Sequence, residues 1–449
     1  MTSQKQLKSR IRERMARTGE RYAAARDHVV AGASGNGDGQ AASHVAVTPI
    51  IDNGYALRGG TNPDAAGLAN VLAHRGVVGP DGPLPEALIF GIQGGLGAGY
   101  ILWEFHHDAS RIVTLGFDHS WNYLDRRLDP AIDRLGIDAD WSRTSGAKGA
   151  AASLRTELAL GNPAIIWPDW FHIGYWHLPA SFDGRGGHGV VAYAETEGRV
   201  HLDDRNLAPL TVGGADLDRA RARIGSYQNA MLVVRTADAT IDGERLRSAV
   251  RAGITATVEH LSSPSDSFSL PAWLKWSRLL VDTRNAKAWP KVFADGRELL
   301  GALLSVWDEI EPAGMAGGNL RDEFAEFLEL AGDILGSQAL AAEATRWREV
   351  AVQWHELAEA AAPADLAPIA RARELTAAVT GAVAEGDVGA AERATAAADL
   401  WELRKAYAAE PPGGTERAPE IFAQMSECLA GIAAAETAAV AQLAGLVED

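Results

Sequence analysis

His188 and the adjacent pair Asp203 and Asp204 are residue types that can move a proton, and their spacing can bring them together. The stretch GRGGHGVVAYAETEGRVHLDDRN runs from Gly184 to Asn206. A glycine-rich approach delivers His188 to an apolar run, Val190 to Ala194. Glu197 and Gly198 then reverse the chain into Val200 to Leu202, so two strands pair as a hairpin. His188 enters the first strand and the aspartates leave the second, with sixteen positions from His188 to Asp204. Folding the arms together makes an imidazole and a carboxylate neighbours, a general base with the group that orients it. The plainer reading is a strand-end histidine beside a solvated acidic turn.

Two further stretches carry chemistry. FGIQGGLGAGY, Phe90 to Tyr100, places five glycines between Gly91 and Gly99. Glycine lets the backbone approach a ligand, and successive free N–H groups can receive an oxyanion, which makes Gln93, Gly94 and Gly95 a candidate receptor. The register is no nucleotide fingerprint: no Lys-Ser or Lys-Thr follows, and the apolar aromatic run Tyr100 to Phe105 does not open a helix. Close backbone packing is the alternative. WPDWFHIGYWHLP, Trp167 to Pro179, offers Trp167, Trp170, Tyr175 and Trp176 as walls of a cleft for a ring or acyl chain, or as plain core. His106, His107 and Asp108, or His172 and His177, invite a metal, but neither set has helical HExxH spacing; no metal and no other cofactor is expected. The one cysteine, Cys428, excludes an intramolecular disulfide and a multi-cysteine metal site, and its Ala- and Leu-rich helical context reads as structural.

These residues need elements to hold them. Residues 5–30 form an amphipathic helix, with Leu7, Ile11, Met15, Thr18, Tyr22, Ala25 and Val29 on one face. Eight basic against three acidic residues give it +5, leaving about −22 of the chain's −17 total on the rest. Such an arm can dock on an acidic surface, or simply pack on its parent domain with solvated arginines. Residues 31–43, AGASGNGDGQAAS, are a flexible linker by composition. Residues 44–238 read as mixed α and β: helices over Ala65–Ala73 and Ala147–Ala159, strands over Ala87–Ile92, Arg111–Phe117 and Ala164–Trp167. Residues 239–449 turn Ala-, Leu- and Glu-rich with proline breaks, a helical domain whose tryptophans read as core anchors. The acidic balance disfavours nucleic acid and anionic membranes as partners. No apolar run approaches about 18 residues and no signal peptide opens the chain, so a cytoplasmic protein is expected.

GLANVLAHRGV, LPEALIFGIQGGLGAGYILWEF, SRTSGAKGAAASLRTELALGNPAIIWPDW, GGHGVVAY and VHLDDRN, in that order, resemble the butirosin-biosynthesis BtrH-type acyltransferase domain. KWSRLLVDTRNAKAWPKVFADGRELL resembles the helical domain that follows it, and together the likeness covers roughly residues 44–363. The resemblance implies an α+β papain-like cysteine-peptidase-type domain followed by an all-α domain, with a catalytic Cys on the first helix, His188 and the acid Asp204. It also implies acyl groups on carrier proteins as donors and amines, small or peptidic, as acceptors. The chain departs from this at the thiol: where the Cys would stand it reads RGGTNPDAAGLANVL. Thr61 is then a candidate nucleophile, Asn62 an oxyanion donor and Asp64 a second carboxylate, unless Asn62-Pro63-Asp64 merely caps the helix. Candidate catalytic residues are His188, Asp204, Gln93, Asn62 and Thr61; candidate substrate contacts are Gly94, Gly95, Tyr100, Trp167, Asp169, Tyr175 and Asp203. Two functions stay open, an acyltransferase without a thiol and a catalytically silent binding or scaffold protein; oligomerisation stays open too.

Overall fold

Helix α1 (Pro63–His74) begins where the sequence provides for it: the Asn62 side-chain oxygen accepts the Ala65 N–H at 2.9 Å, and Pro63 has no N–H to orphan. The computed structural model describes residues 53–105, 110–120 and 124–447, so the basic helix, the linker and the His106–Asp108 set lie outside the described residues. A short ribbon, β1 (Val78–Gly79) and β2 (Gly82–Pro83), leads into α2 (Glu86–Gln93). The strand expected over Ala87–Ile92 is this helix. A short apolar run fits a buried strand or a buried helix equally well, and here Pro85 at the N-cap and Glu86 in the first turn start a helix buried on all sides. Its neighbours come close because they meet glycine: a Cβ on Gly91 would lie 2.1 Å from the Phe327 ring.

β3 (Tyr100–Glu104) and β4 (Arg111–Leu115) pair antiparallel as a separate hairpin. There follow α3 (Asp129–Leu135), β5 (Ala139–Ser142), α4 (Ala147–Ala159), β6 (Ala164–Ile166) and the single turn α5 (Trp170–Ile173). Then come β7 (Val190–Thr196), β8 (Arg199–Asp203), β9 (Leu210–Gly213), α6 (Gly214–Arg223) and β10 (Met231–Val234). The main sheet is antiparallel in the order β5-β10-β6-β7-β8-β9. The β7–β8 turn has φ of 52° at Glu197 and 75° at Gly198, the positive pair that a two-residue hairpin turn of the twisted kind requires. Val191 pairs with Asp203, so the register sets the His188 end of β7 beside the chain leaving β8.

The remainder is helical: α7 (Gly243–Leu261), α8 (Pro271–Val281), α9 (Trp289–Val292), α10 (Leu299–Ile310), α11 (Arg321–Leu335), α12 (Gln338–Ala361), α13 (Ala367–Ala384), α14 (Ala390–Ala406) and α15 (Ala418–Val447). Trp273, Trp276, Trp289, Trp307, Trp347 and Trp354 are buried as core anchors; Trp401 is half-buried and donates to the His177 carbonyl at 3.1 Å. One apolar core runs without a break from Ala65 of α1 to Leu443 of α15. By length and composition the α15 region is apolar enough to cross a membrane, which differs from the expectation that no run would be. Its apolar stripe is taken up inside the protein, with Met425, Leu429, Ile432, Ala439 and Leu443 buried. Cys428 on the same helix is half-buried, and burial pushes its thiol up.

At the centre of the helices Arg321 and Glu436 are both shut off from solvent, Nε to Oε1 2.8 Å. The carboxylate also accepts the Trp273 and Trp354 indole N–H groups at 3.0 and 2.8 Å, while the guanidinium donates to the Gly97 carbonyl at 3.2 Å. Removing one member of a buried pair leaves an uncompensated charge, typically about 3–5 kcal/mol. Glu436→Ala should therefore lower the urea midpoint by that order of stability, measured by denaturation of the full chain.

Candidate functional site

His188 Nε2 lies 2.6 Å from Asp204 Oδ1, and both side chains are buried. The other Asp204 oxygen accepts the Tyr175 hydroxyl at 2.7 Å, Arg205 Nη2 stands 3.3 Å from Oδ1, and the Asp204 N–H donates to Asn206 Oδ1 at 2.6 Å. Burial alone would raise this carboxyl; His188, Arg205 and Tyr175 outweigh it and hold Asp204 well below the usual carboxylate range. An ionised Asp204 accepts the proton on Nε2, which leaves the ring's lone pair on Nδ1. Trp170 fixes the same tautomer from the other side: its indole N–H, a donor only, points at Nδ1 from 2.5 Å. Trp176 stands edge-on to the imidazole, 6.3 Å between centroids.

Asp203, the last residue of β8, makes its contacts away from His188. It accepts the Tyr55 hydroxyl at 2.8 Å, the Asn70 amide at 2.9 Å and the Arg205 N–H at 3.0 Å. Burial nevertheless raises it to about 6. Asp203 thus ties the hairpin to α1 rather than facing His188.

The first turn of α1 meets the His188 segment directly. A Cβ on Gly189 would fall 2.3 Å from Asp64 Oδ1, the oxygen that takes the Trp167 indole N–H at 3.2 Å; Arg127 holds the second oxygen at 2.7 Å. Asn62 caps the helix and also uses its amide to donate to Asp118 Oδ2 at 3.1 Å, where Gln93 donates at 3.2 Å. Burial would raise Asp118, but His119, Arg127 and the Ser120 N–H hold it down to about 2. The backbone N–H groups of Thr61 and Asn62 both donate to Glu86 Oε1, at 2.8 and 2.6 Å, and burial pushes that carboxyl up to about 7.

A cavity of about 680 Å³ opens onto this centre, with Asn62, Asp118, Arg127, Trp170, Trp176 and His188 in its wall. The hairpin β3–β4, residues of α10, α13 and α14, and loop residues such as Phe182, Arg185 and Met315 line the rest. Asp204 and Tyr175 stand behind His188. Gln93 is fully buried under Asp118 and Thr61 lies outside the cavity wall. Gly94 and Gly95 offer no oxyanion receptor: their N–H groups donate to the Gly91 and Phe90 carbonyls at 3.2 and 2.9 Å, closing the end of α2. Close packing explains these glycines, since a Cβ would meet the His119 ring at 2.6 Å or Thr257 Oγ1 at 2.8 Å. The Tyr100 hydroxyl accepts from Trp289 at 2.8 Å and its ring stacks on Trp276, so it is core. Of the expected aromatic wall, Trp170 and Trp176 face the cavity, whereas Trp167 and Tyr175 do not. Asp169 caps α5, accepting the His172 N–H at 3.1 Å and the Gly184 N–H at 3.0 Å. Asp169, His172 and Asp183 converge, but Arg223 already neutralises Asp183 at 2.5 Å. Asp118, Arg127 and the role of Trp170 escape the sequence reading because no local motif marks them.

A buried His–Asp pair on an antiparallel hairpin, facing the capped start of a helix across a largely apolar cavity, defines the chain as an α+β protein with an active-site-like centre and a helical C-terminal region. Residues 62–205 match the family model of the N-terminal domain of butirosin biosynthesis protein H, and residues 215–385 match a domain of unknown function (DUF4872). The two matches, in this order, are those of a butirosin biosynthesis protein H type of family, which the chain resembles. No curated protein matches it in sequence.

The neighbouring aspartates should have opposite effects on stability as pH changes. Asp203 rises from 3.8 to about 6 on folding, so between those values the folded state keeps a proton that the unfolded state has lost, and stability falls as pH rises. Asp204 is depressed, so its contribution is present above 3.8 and is lost as pH drops below it. Denaturation across pH should show Asp203→Asn flattening the first slope and Asp204→Asn flattening the second.

Proposed function

We propose that this protein moves an acyl group from a carrier-protein thioester to an amine in natural-product biosynthesis, with His188 as base, Asp204 as orienter and no cysteine nucleophile. The observation that carries this reading is the His188–Asp204 pair, 2.6 Å apart, with His188 in the wall of an open cavity. A helix start packed against a histidine on an antiparallel sheet also supports a papain-like ancestry, consistent with the family match. In the reaction the amine nitrogen attacks the thioester carbonyl and Nδ1 of His188 takes the proton released. Asp204 stabilises the imidazolium. The negative charge on the carbonyl oxygen is received by Asn62, whose amide spends one N–H on Asp118 and has a second to give. Collapse expels the carrier thiolate, which recovers the proton from His188. A thioester is already activated, so no acyl-enzyme is needed. A cytoplasmic setting fits a carrier-protein donor.

The second reading is a silent binding or scaffold protein. It is favoured by the Trp170 indole, which occupies the lone pair a base must use. As an enzyme, the protein must swing that indole aside when the amine arrives.

With carrier-bound donors and candidate amines screened by mass spectrometry, His188→Ala should lower the rate by about 10²–10⁴, Asp204→Asn by a comparable or smaller factor, and Thr61→Ala hardly at all. Intact-protein mass during turnover should show no adduct; an acyl group on Thr61 would overturn the direct route, and full activity in His188→Ala would remove the enzyme reading. Trp170→Phe deletes the N–H and leaves an aromatic ring. It should speed modification of His188 by diethyl pyrocarbonate, mapped by peptide mass, and the rate should stay at the wild-type value if another group shields Nδ1.

A further inference from the structure

We propose that the cavity beside His188 is a binding site for an extended, uncharged apolar chain, the acyl chain of the donor. The name of the ligand rests on the acyl-transfer reading above; its binding does not. The wall continues from Trp176 at the histidine across Ile101 and Leu115 of the β3–β4 hairpin to Leu304 of α10, Val379 of α13 and Leu400 of α14. A cavity walled by so many separate elements is more than a single ring slot, and about 680 Å³ is the size class of sites that enclose whole small ligands. None of these six side chains has a polar atom to spare apart from the Trp176 indole N–H, so the gain on filling the space is removal of apolar surface from water.

The charged residues in the wall have partners inside the protein: Asp118 and Arg127 offset each other near His188, and Arg185 donates to Ser110 Oγ at 2.7 Å and lies over the Phe105 and Phe182 rings. Asp308 accepts the Met315 N–H at 3.1 Å, and Arg404 lies near it. Burial pushes Asp308 up and, with Asp308 beside it, pushes Glu309 well above the ordinary range, so a further negative charge is disfavoured there. An uncharged chain can lie along them without the desolvation penalty that a carboxylate would impose.

The test uses the full chain and S-alkyl N-acetylcysteamine thioethers from ethyl to dodecyl, which carry no acyl group to transfer, with affinity and stoichiometry measured by calorimetry. Each buried methylene should tighten binding about fourfold until the cavity is full, at one ligand per chain. Thr376→Trp, a filling change in the half-buried wall, should abolish the gradient beyond short chains; Val379→Phe is a milder filling change at the same end, and melting curves verify folding. Equal affinity along the series overturns the assignment, as does a gradient that the folded filling variants leave intact. A flat series in a protein that transfers acyl groups sinks this site alone. A steep series in a protein that transfers nothing sinks the reaction and leaves the site.

Discussion

The Arg321–Glu436 ion pair is the constraint on which the cavity depends. Glu436 stands on α15 and Arg321 opens α11, and the guanidinium reaches on to the carbonyl of Gly97, just ahead of the β3–β4 hairpin that forms one cavity wall. With Trp273 of α8 and Trp354 of α12 donating to the same carboxylate, four helices and the hairpin's root share one set of charge-assisted bonds. Apolar packing alone tolerates small slides between helices. A fully satisfied buried network has one geometry, and it gives the hairpin a fixed base from which to face α10.

The His188 centre is built from a contrast between adjacent residues. Asp203 and Asp204 have the same side chain and the same near-total burial, yet one is raised and the other depressed. Asp203, closing β8, meets neutral hydroxyl and amide donors, whereas Asp204, one residue past the strand, meets His188 and Arg205. Partner charge therefore decides which carboxyl is held ionised, and the ionised one is the one able to hold an imidazole in a single tautomer.

The hairpin was legible because its information is local. Glu197-Gly198 meets a turn that demands positive φ, and the apolar runs on either side set the register, so the approach of His188 to Asp204 follows from a few dozen residues. The cap at Asn62 was legible for the same reason. What the sequence concealed was non-local or degenerate. Ala87–Ile92 has no polar residue to report a period, so strand and helix could not be told apart. The glycines of the Gln93–Gly95 segment serve contacts to His119, Thr257 and Phe324, partners that only the fold supplies. Trp170 looked like any wall aromatic until its N–H was found on Nδ1, and the cavity draws on α13 and α14, far along the chain from His188.

Glu86 gives the start of α1 a further property. Its carboxyl collects the Thr61 and Asn62 N–H groups, and at about 7 it is poised between its two protonation states in neutral solution. A negative charge appearing near the helix start would raise that value again and draw a proton onto Glu86. A proton taken up by Glu86 would offset part of such a charge, so the start of α1 need not hold two anions at once.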